Sequence, residues 1–456
     1  MARPKRGLDG SELARELGSA VLGDSRRSER LAHIVGRVAE HPDASFPASS
    51  RNDAELEAVY RFFGNESVTP EAILEPHLLA SVARALTHRD VLVAHDTTHF
   101  TFEGEREGLG RIHQMDQGFW GHFALAMSSE REVFGVVGLR YGTRIGPTKW
   151  RGSRRIAGGE EPSETQRWPD LVAASAERLG SGRAIHLMDR EADWFELFKF
   201  MRERGERFVV RLTHDRLLES GGRVSSLLSK AETKATREVE LSARAEGHNA
   251  KERARHPGRK PRVAELHVRA VSASLRSAMS DGVLELNVVR VVEATPPEGC
   301  APVVWNLVTT EPVETADDVL RVVDAYRARW VIEEYFKAIK TGCAFEKRQL
   351  ASYRALLNAL AVFVPIAWSL LRLRDIGRRH GNRRARDVLE PRLLAVLVQL
   401  ARRPMPTNPN ARDVMYAVAG LAGHLTRNGD PGWITLGLGY ERLLEAVRLA
   451  ALLAEM

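Results

Sequence analysis

Three apolar runs, at residues 90–102, 120–129 and 132–144, alternate Val, Phe, Leu and Tyr with polar positions and are set apart by polar stretches. A period of two marks half-buried strands, and three in succession predict an antiparallel meander. The period then lengthens to that of a helix over residues 163–179, returns to strand at 183–188, to helix at 194–202 and to strand at 207–213. The resulting order, β-β-β-α-β-α-β, confines the chain to a mixed α/β (α+β) architecture. Further strands are predicted at 237–241, 264–272, 283–292 and 303–309. After Pro312 the pattern is helical, at 316–341, 353–374 and in shorter pieces up to 440–455, with Pro404, Pro406 and Pro409 marking a loop.

No strand pattern precedes the meander. Helices are predicted at 12–22, 26–39, 53–63 and 70–86, with Asp24, Asp53 and Thr69 at N-cap positions and Pro70 in the first turn. Arg26, Arg27, Arg30, Arg37, Arg51 and Arg61 make this helical segment basic, which fits phosphate contact and an ordinary solvated helix face equally well. The formal charge of +7 is compatible with a polyanionic partner and demonstrates none. Two cysteines, Cys300 and Cys343, provide neither a disulfide framework nor a Cys-x-x-Cys metal clip. The apolar run 355–371 is broken by Asn358, Pro365 and Ser369, falls short of the roughly 18 residues that span a bilayer, and reads as a buried helix. Glu12 and Glu16 follow the basic start where a secretory leader would be apolar, so a cytoplasmic protein is expected. No phosphate loop of the Gly-x4-Gly-Lys-Ser/Thr type occurs, and ATP use is not expected.

Three places carry candidate chemistry. Residues 251–262 hold Lys251, Arg253, Arg255, Arg259, Lys260 and Arg262 against Glu252, with Pro257 and Gly258 breaking any helix; a mobile hairpin tip and a finger along a phosphate backbone are both consistent with this. Asp96 and Asp189 each stand at the edge of an apolar run, where a carboxylate either caps the next turn or joins a site at the strand ends. The segment 326–340, wound as one helix, gathers Tyr326, Arg329, Glu333, Lys337 and Lys340 into an arc of roughly 80°, with Val331, Ile332, Tyr335, Ala338 and Ile339 opposite. An i,i+4 pair of Glu333 and Lys337 would account for part of the charge. One carboxylate flanked by phosphate-binding groups is also what metal-dependent phosphoryl transfer requires. His95, Asp96 and His99 are poor zinc candidates, because neighbouring side chains on a strand face opposite ways. Glu334, about 100° from Glu333 on the helix, is not expected to share its role.

The spacing Tyr-x2-Arg-x3-Glu-x6-Lys, realised as Tyr326, Arg329, Glu333 and Lys340, resembles the signature of bacterial insertion-sequence transposases of the Asp-Asp-Glu type, the group that includes the transposase of transposon five. The resemblance extends to the segments around His95–Thr98 and Asp189–Asp193, to residues 22–31 and 60–62, and to Trp305 ahead of Thr310–Val313. It runs from about residue 20 to the end, apart from residues 145–162, where nothing aligns.

That resemblance implies a ribonuclease-H-like catalytic domain at 89–372 with an inserted β-subdomain at 217–313, a helical DNA-binding domain at 1–88 and a helical dimerisation domain at 373–456. It implies that Asp96, Asp189 and Glu333 hold two magnesium ions, with manganese an expected substitute, and that the partners are double-stranded DNA at the element's inverted ends and at the target. Trp305 would stack a flipped base, with Tyr326, Arg329 and Lys340 on the adjoining phosphates, Lys337 assisting and Arg211 a further phosphate candidate. Arg26, Arg27, Arg30 and Arg61, with the basic loop residues Lys251, Arg253, Arg255, Arg259 and Lys260, complete the expected DNA contacts. A homodimer in a paired-end complex on the bacterial nucleoid is expected to cut, form hairpins and join ends.

Overall fold

The computed structural model describes residues 10–112, 117–143, 164–241, 258–277, 282–379 and 381–454. Helices come first: α1 (Gly10–Gly18), α2 (Ser25–Glu40), α3 (Phe46–Ser49), α4 (Asp53–Gly64) and α5 (Pro70–Ala85). Asp24, Ser45, Asn52 and Thr69 each accept a first-turn backbone N–H, so Asn52 and not Asp53 caps α4. Strands β1 (Val91–Phe102), β2 (Gly110–Arg111), β3 (Gln117–Ser128) and β4 (Val133–Gly142) follow. Next come α6 (Arg167–Leu179), β5 (Ala184–Met188), α7 (Phe195–Glu203), β6 (Arg207–Arg211), β7 (Leu217–Leu218) and α8 (Val224–Lys230). β8 (Thr233–Leu241), β9 (Arg262–Arg276), β10 (Val283–Glu293) and β11 (Val304–Thr309) complete the strands. The chain ends in α9 (Ala316–Ala328), α10 (Val331–Lys337), a π-helical turn (Ala338–Gly342), α11 (Tyr353–Arg379), α12 (Pro391–Leu400), α13 (Ala411–Leu421) and α14 (Trp433–Ala454). The mixed α/β class is as the strand and helix periods predict.

Two compact units divide the chain, and they cut across the expected domain limits. The first holds Met1–Val91, Asp96–Arg167 and Trp330–Met456; the second holds Leu92–His95 and Trp168–Arg329.

In the first unit the N-terminal helices share a core with α11. The amide of buried Asn358 donates to the Phe63 carbonyl at 2.9 Å and the Val68 carbonyl at 3.1 Å, which satisfies groups that the end of α4 would otherwise leave orphaned. This explains the polar residue in an apolar run. The Arg348 guanidinium is likewise surrounded by the carbonyls of Pro42, Ala44 and Cys343. Trp368 Nε1 donates to the Val133 carbonyl of β4 at 3.1 Å. α11 is long and apolar enough to cross a membrane, yet Leu356, Val362, Phe363 and Val364 are fully buried in the protein, as expected for a core helix. β3 pairs antiparallel with β2 and β4, with register shifts at Ala124/Leu125 and Ala126/Met127.

In the second unit, β5 lies between β1 and β6 and pairs parallel with β6, Ile185 opposite Arg207 and Met188 opposite Val210. α7 makes the crossover that a parallel pair needs. β6 then pairs antiparallel with β11, β11 with β10 and β10 with β9, while β7 and β8 pair with β9. Strands expected to form an inserted β-subdomain therefore extend the sheet through β11. Trp168, Phe195, Phe198, Met201, Phe208 and Leu275 lie in the core of this unit.

Candidate functional site

In the first unit, β1 turns polar at Asp96. His95 is fully buried and Asp96 is half-buried, the opposed facing that strand geometry dictates. Asp96 Oδ1 accepts the Thr97 N–H at 2.8 Å. The Thr97 hydroxyl lies 2.8 Å from His122 Nδ1 and accepts from Arg167 Nε at 3.1 Å. Burial first, then the charge of Arg167, holds His122 well below its ordinary value near 6.5. A neutral ring lets Thr97 donate to Nδ1 while accepting from Arg167. Neither Arg167 nor His122 was a sequence candidate, since nothing in the spacing connects residues 96, 122 and 167.

The signature segment is not one helix. α9 ends at Ala328, Arg329 N bonds to the Tyr326 carbonyl at 3.1 Å, and Glu333 N bonds to the Trp330 carbonyl at 3.2 Å. α10 follows, and Cys343 N then closes the π-helical turn on the Ala338 carbonyl at 2.8 Å. Glu333 is half-buried on α10. Lys337 pairs with Glu334 at 2.9 Å, not with Glu333 as the i,i+4 spacing predicts. Lys340 donates to the His99 carbonyl and lies 3.6 Å from Glu346. Trp330, just before α10, is 58% exposed, a large ring next to Glu333's turn that periodicity had no reason to single out.

In the second unit, Asp189 follows β5 and caps the short turn Arg190–Ala192, its Oδ1 accepting Glu191 N–H at 2.9 Å. Both aspartates are thus oriented by a backbone N–H close behind them in sequence. Asp193 is structural: it takes the Thr213 and His214 N–H groups at 2.6 and 2.7 Å and pairs with Arg216. The Trp305 ring on β11 lies 6.1 Å from the Tyr326 ring at 58°. Arg211 on β6 donates to the Val304 carbonyl at 3.2 Å. Burial pulls its pKa down; Tyr326 opposes this, and the charges of Arg190 and Arg329 add to it. Tyr326 and Arg329, expected on a polar face, are buried at 7% and 8% exposure. In the same unit a fully buried His95 Nε2 meets His186 Nδ1 at 2.8 Å, and His186 faces Glu206 at 3.6 Å.

Asp96, Asp189 and Glu333 are hard oxygen donors of the kind a small divalent cation prefers. Among the described residues, no group of three His, Cys, Asp or Glu side chains is close enough to hold a metal ion. The donor chemistry of the three carboxylates fits such an ion.

Residues 157–363 match the family model of the transposase DDE domain, and residues 11–68 match that of the transposase DNA-binding domain. The chain carries two transposase domains. The DDE match takes in Asp189, Arg211, Trp305, Tyr326, Arg329, Glu333, Lys337 and Lys340, while Asp96 precedes it. Among solved structures, a piggyBac transposase synaptic complex with hairpin DNA is similar at a TM-score of 0.36 and 9% identity, over 79% of this chain and 65% of that one. The chain thus spans just under two thirds of that protein's length.

The transposase DNA-binding domain uses its arginines unequally. Arg27 donates to the Leu22 carbonyl at 2.9 Å and is committed to the fold. Arg26 pairs with Asp24 at 2.8 Å, and Arg61 faces Glu57 at 3.4 Å, both with exposed guanidinium groups. Arg30 is exposed on α2. Of the basic loop, Lys251, Arg253 and Arg255 lie outside the described residues, while Arg259 and Lys260 stand just before β9.

Proposed function

We propose that the protein is a cut-and-paste DNA transposase that binds the inverted ends of its element, excises it by nicking and hairpin formation, and joins the 3′-hydroxyls to target DNA. The match of residues 157–363 to the transposase DDE domain carries this reading. An antiparallel meander followed by the parallel β5–β6 pair supports a ribonuclease-H-like core.

In this reading Asp96, Asp189 and Glu333 are the catalytic triad. Two magnesium ions, or manganese in their place, would supply activation of the attacking hydroxyl and stabilisation of the leaving oxygen. The chain's own contribution is orientation: Thr97 N–H and Glu191 N–H fix the two aspartates. Trp305, backed by Tyr326, offers a flat face for a flipped base, whose unstacking costs a few kcal/mol. Arg211, Tyr326, Arg329 and Lys340 would hold the neighbouring phosphates, with Lys337 assisting. Arg26, Arg30 and Arg61 read or track the element's ends.

The partner is double-stranded DNA, and the active form is a homodimer on paired ends. The subunit contact is proposed for the C-terminal helices. The protein works in the cytoplasm, on the nucleoid.

The test is incubation of wild type and Asp189→Ala with magnesium on DNA carrying the gene's own flanks, resolved on a denaturing gel. Hairpin-length ends and joined products from the wild type, with binding but no cutting by the variant, are expected. Cutting by Asp189→Ala would refute the triad, breaks without hairpins or joining would make the protein a nuclease, and binding without cleavage by wild type would make it a regulator. Trp305→Ala should nick but form hairpins poorly.

A further inference from the structure

Glu334 of α10 takes no part in the proposed chemistry, and its carboxylate is held from several sides. It accepts from Lys337 Nζ at 2.9 Å within its own helix, from Arg374 of α11, and from the indole Nε1 of Trp433, the first residue of α14, at 3.3 Å. The Arg374 guanidinium in turn covers the Trp433 ring, 4.4 Å from its centroid. Two segments distant in sequence, both in the first unit, therefore converge on the residue beside Glu333.

The π-helical turn after α10 rests on the same element. A Cβ added at Gly342 would lie 3.8 Å from the Trp433 ring, and one at Gly437 would lie 3.6 Å from the Gly342 carbonyl oxygen, so the two backbones approach closely. The start of α14 is itself fixed. Asp430 pairs with Arg378, one turn beyond Arg374 on α11, at 2.8 Å, and accepts the Tyr416 hydroxyl at 3.0 Å.

Adjacent side chains on a helix are offset by about 100°, so a helix pinned at Glu334 cannot roll without displacing Glu333. α10 needs such a pin, because it is only one helical piece between the turn at Arg329–Trp330 and the π-helical turn. We propose that Trp433 is a positioning residue for Glu333: the start of α14, docked on Glu334 and Arg374, sets the direction in which the Glu333 carboxylate is presented. This rests on the assignment of Glu333 to the catalytic triad.

The experiment compares full-length wild type, Trp433→Ala, Trp433→Phe and Glu334→Gln in two readouts. One is hydrogen exchange over residues 331–342 without metal; the other is the magnesium dependence of cleavage of the flank DNA. In Trp433→Ala, exchange over 331–342 should rise and the half-saturating magnesium concentration should increase, each roughly tenfold, the scale of a small misplacement of a reacting group. Exchange over residues 25–40 and end binding should stay as in wild type. Trp433→Phe, which keeps a ring under Arg374, should recover most of both effects. If Trp433→Ala does not fold, Glu334→Gln carries the test, since it keeps the side-chain volume and loses the charge facing Arg374; it should shift both readouts the same way. Unchanged exchange and unchanged magnesium dependence in the folded variants overturn the proposal. A wild type that does not cleave overturns the transposase reading instead, and the exchange result then decides by itself whether Trp433 holds α10.

Discussion

The Lys340 ammonium donates a hydrogen bond to the carbonyl of His99, so the turn that ends the signature segment is tied to the strand that carries Asp96 three residues earlier. The same ammonium lies 3.6 Å from Glu346 and 5.5 Å from the centre of the Phe100 ring. A lysine expected only on phosphate therefore also braces the first unit. Lys340→Met should lower stability by about 1 kcal/mol, the size of one partly solvated charged hydrogen bond, as read by urea denaturation. An unchanged midpoint would mean that the ammonium serves DNA alone.

Gly135 sits in β4 with φ of +132°, and a Cβ there would fall 2.1 Å from Ser81 Oγ and 3.1 Å from His77 Nε2 on α5. The glycine lets α5 lie directly on the bulged strand. Gly135→Ala should cost roughly 2–4 kcal/mol, combining overpacking with an unfavourable backbone conformation. Thermal unfolding checks it, and a shift within error would mean that α5 moves away at little cost.

Acid should weaken the docking of α1 on α5. Burial, only partly opposed by Glu16, lowers the pKa of fully buried His77 from its ordinary 6.5, and Arg84 lowers it further. Burial also pushes Glu16 up, but the hydrogen bonds and charges of His77 and Arg84 outweigh this and leave it below 4.5. Neutral His77 then donates to the Glu16 carboxylate at 2.6 Å. Both groups bind protons more readily when unfolded, so their contribution is complete above about 6.5 and is lost as pH falls. The His77 part goes first, below 6.5, and the Glu16 part follows below 4.5. Denaturation at stepped pH should show stability declining through this range, and His77→Gln should flatten its upper part. A wild-type curve that is flat from pH 7 to 4 would contradict the assignment.

Local signals carried much of the architecture. Predicted helices at 26–39, 53–63 and 70–86 appear as Ser25–Glu40, Asp53–Gly64 and Pro70–Ala85, because caps and the 3.6 period are written within each segment. The unbroken helix expected at 316–341 was not found: α9 ends at Ala328 and α10 begins at Val331, and neither glycine nor proline marks the turn between them. The family resemblance named Trp305, Tyr326 and Arg211 as candidates, and the three are neighbours in the second unit. His122, Arg167, His186 and Trp433 had no such signal, since their partners lie 25, 70, 91 and 99 residues away. Contacts of that range depend on the sheet order and on the placement of α14, which periodicity does not encode.

Arg211 is disfavoured by burial first and then by the charges of Arg190 and Arg329, with Tyr326 partly offsetting. A guanidinium disfavoured in this way gains from an anion beside it, and a DNA phosphate would supply one to Arg211. Arg211→Met should therefore weaken binding of the flank DNA about equally for matched and scrambled sequences, because a phosphate contact carries no base information. It should also reduce the slope of log K against log salt by about 0.9, the counterion release due to one phosphate. Arg204→Met, whose guanidinium lies over Phe200 at 5.4 Å, serves as the control for losing one positive charge elsewhere in the same unit. Fluorescence anisotropy across a salt series separates the cases: equal slopes for the two variants would remove Arg211 from the DNA path and leave its bond to the Val304 carbonyl as its role.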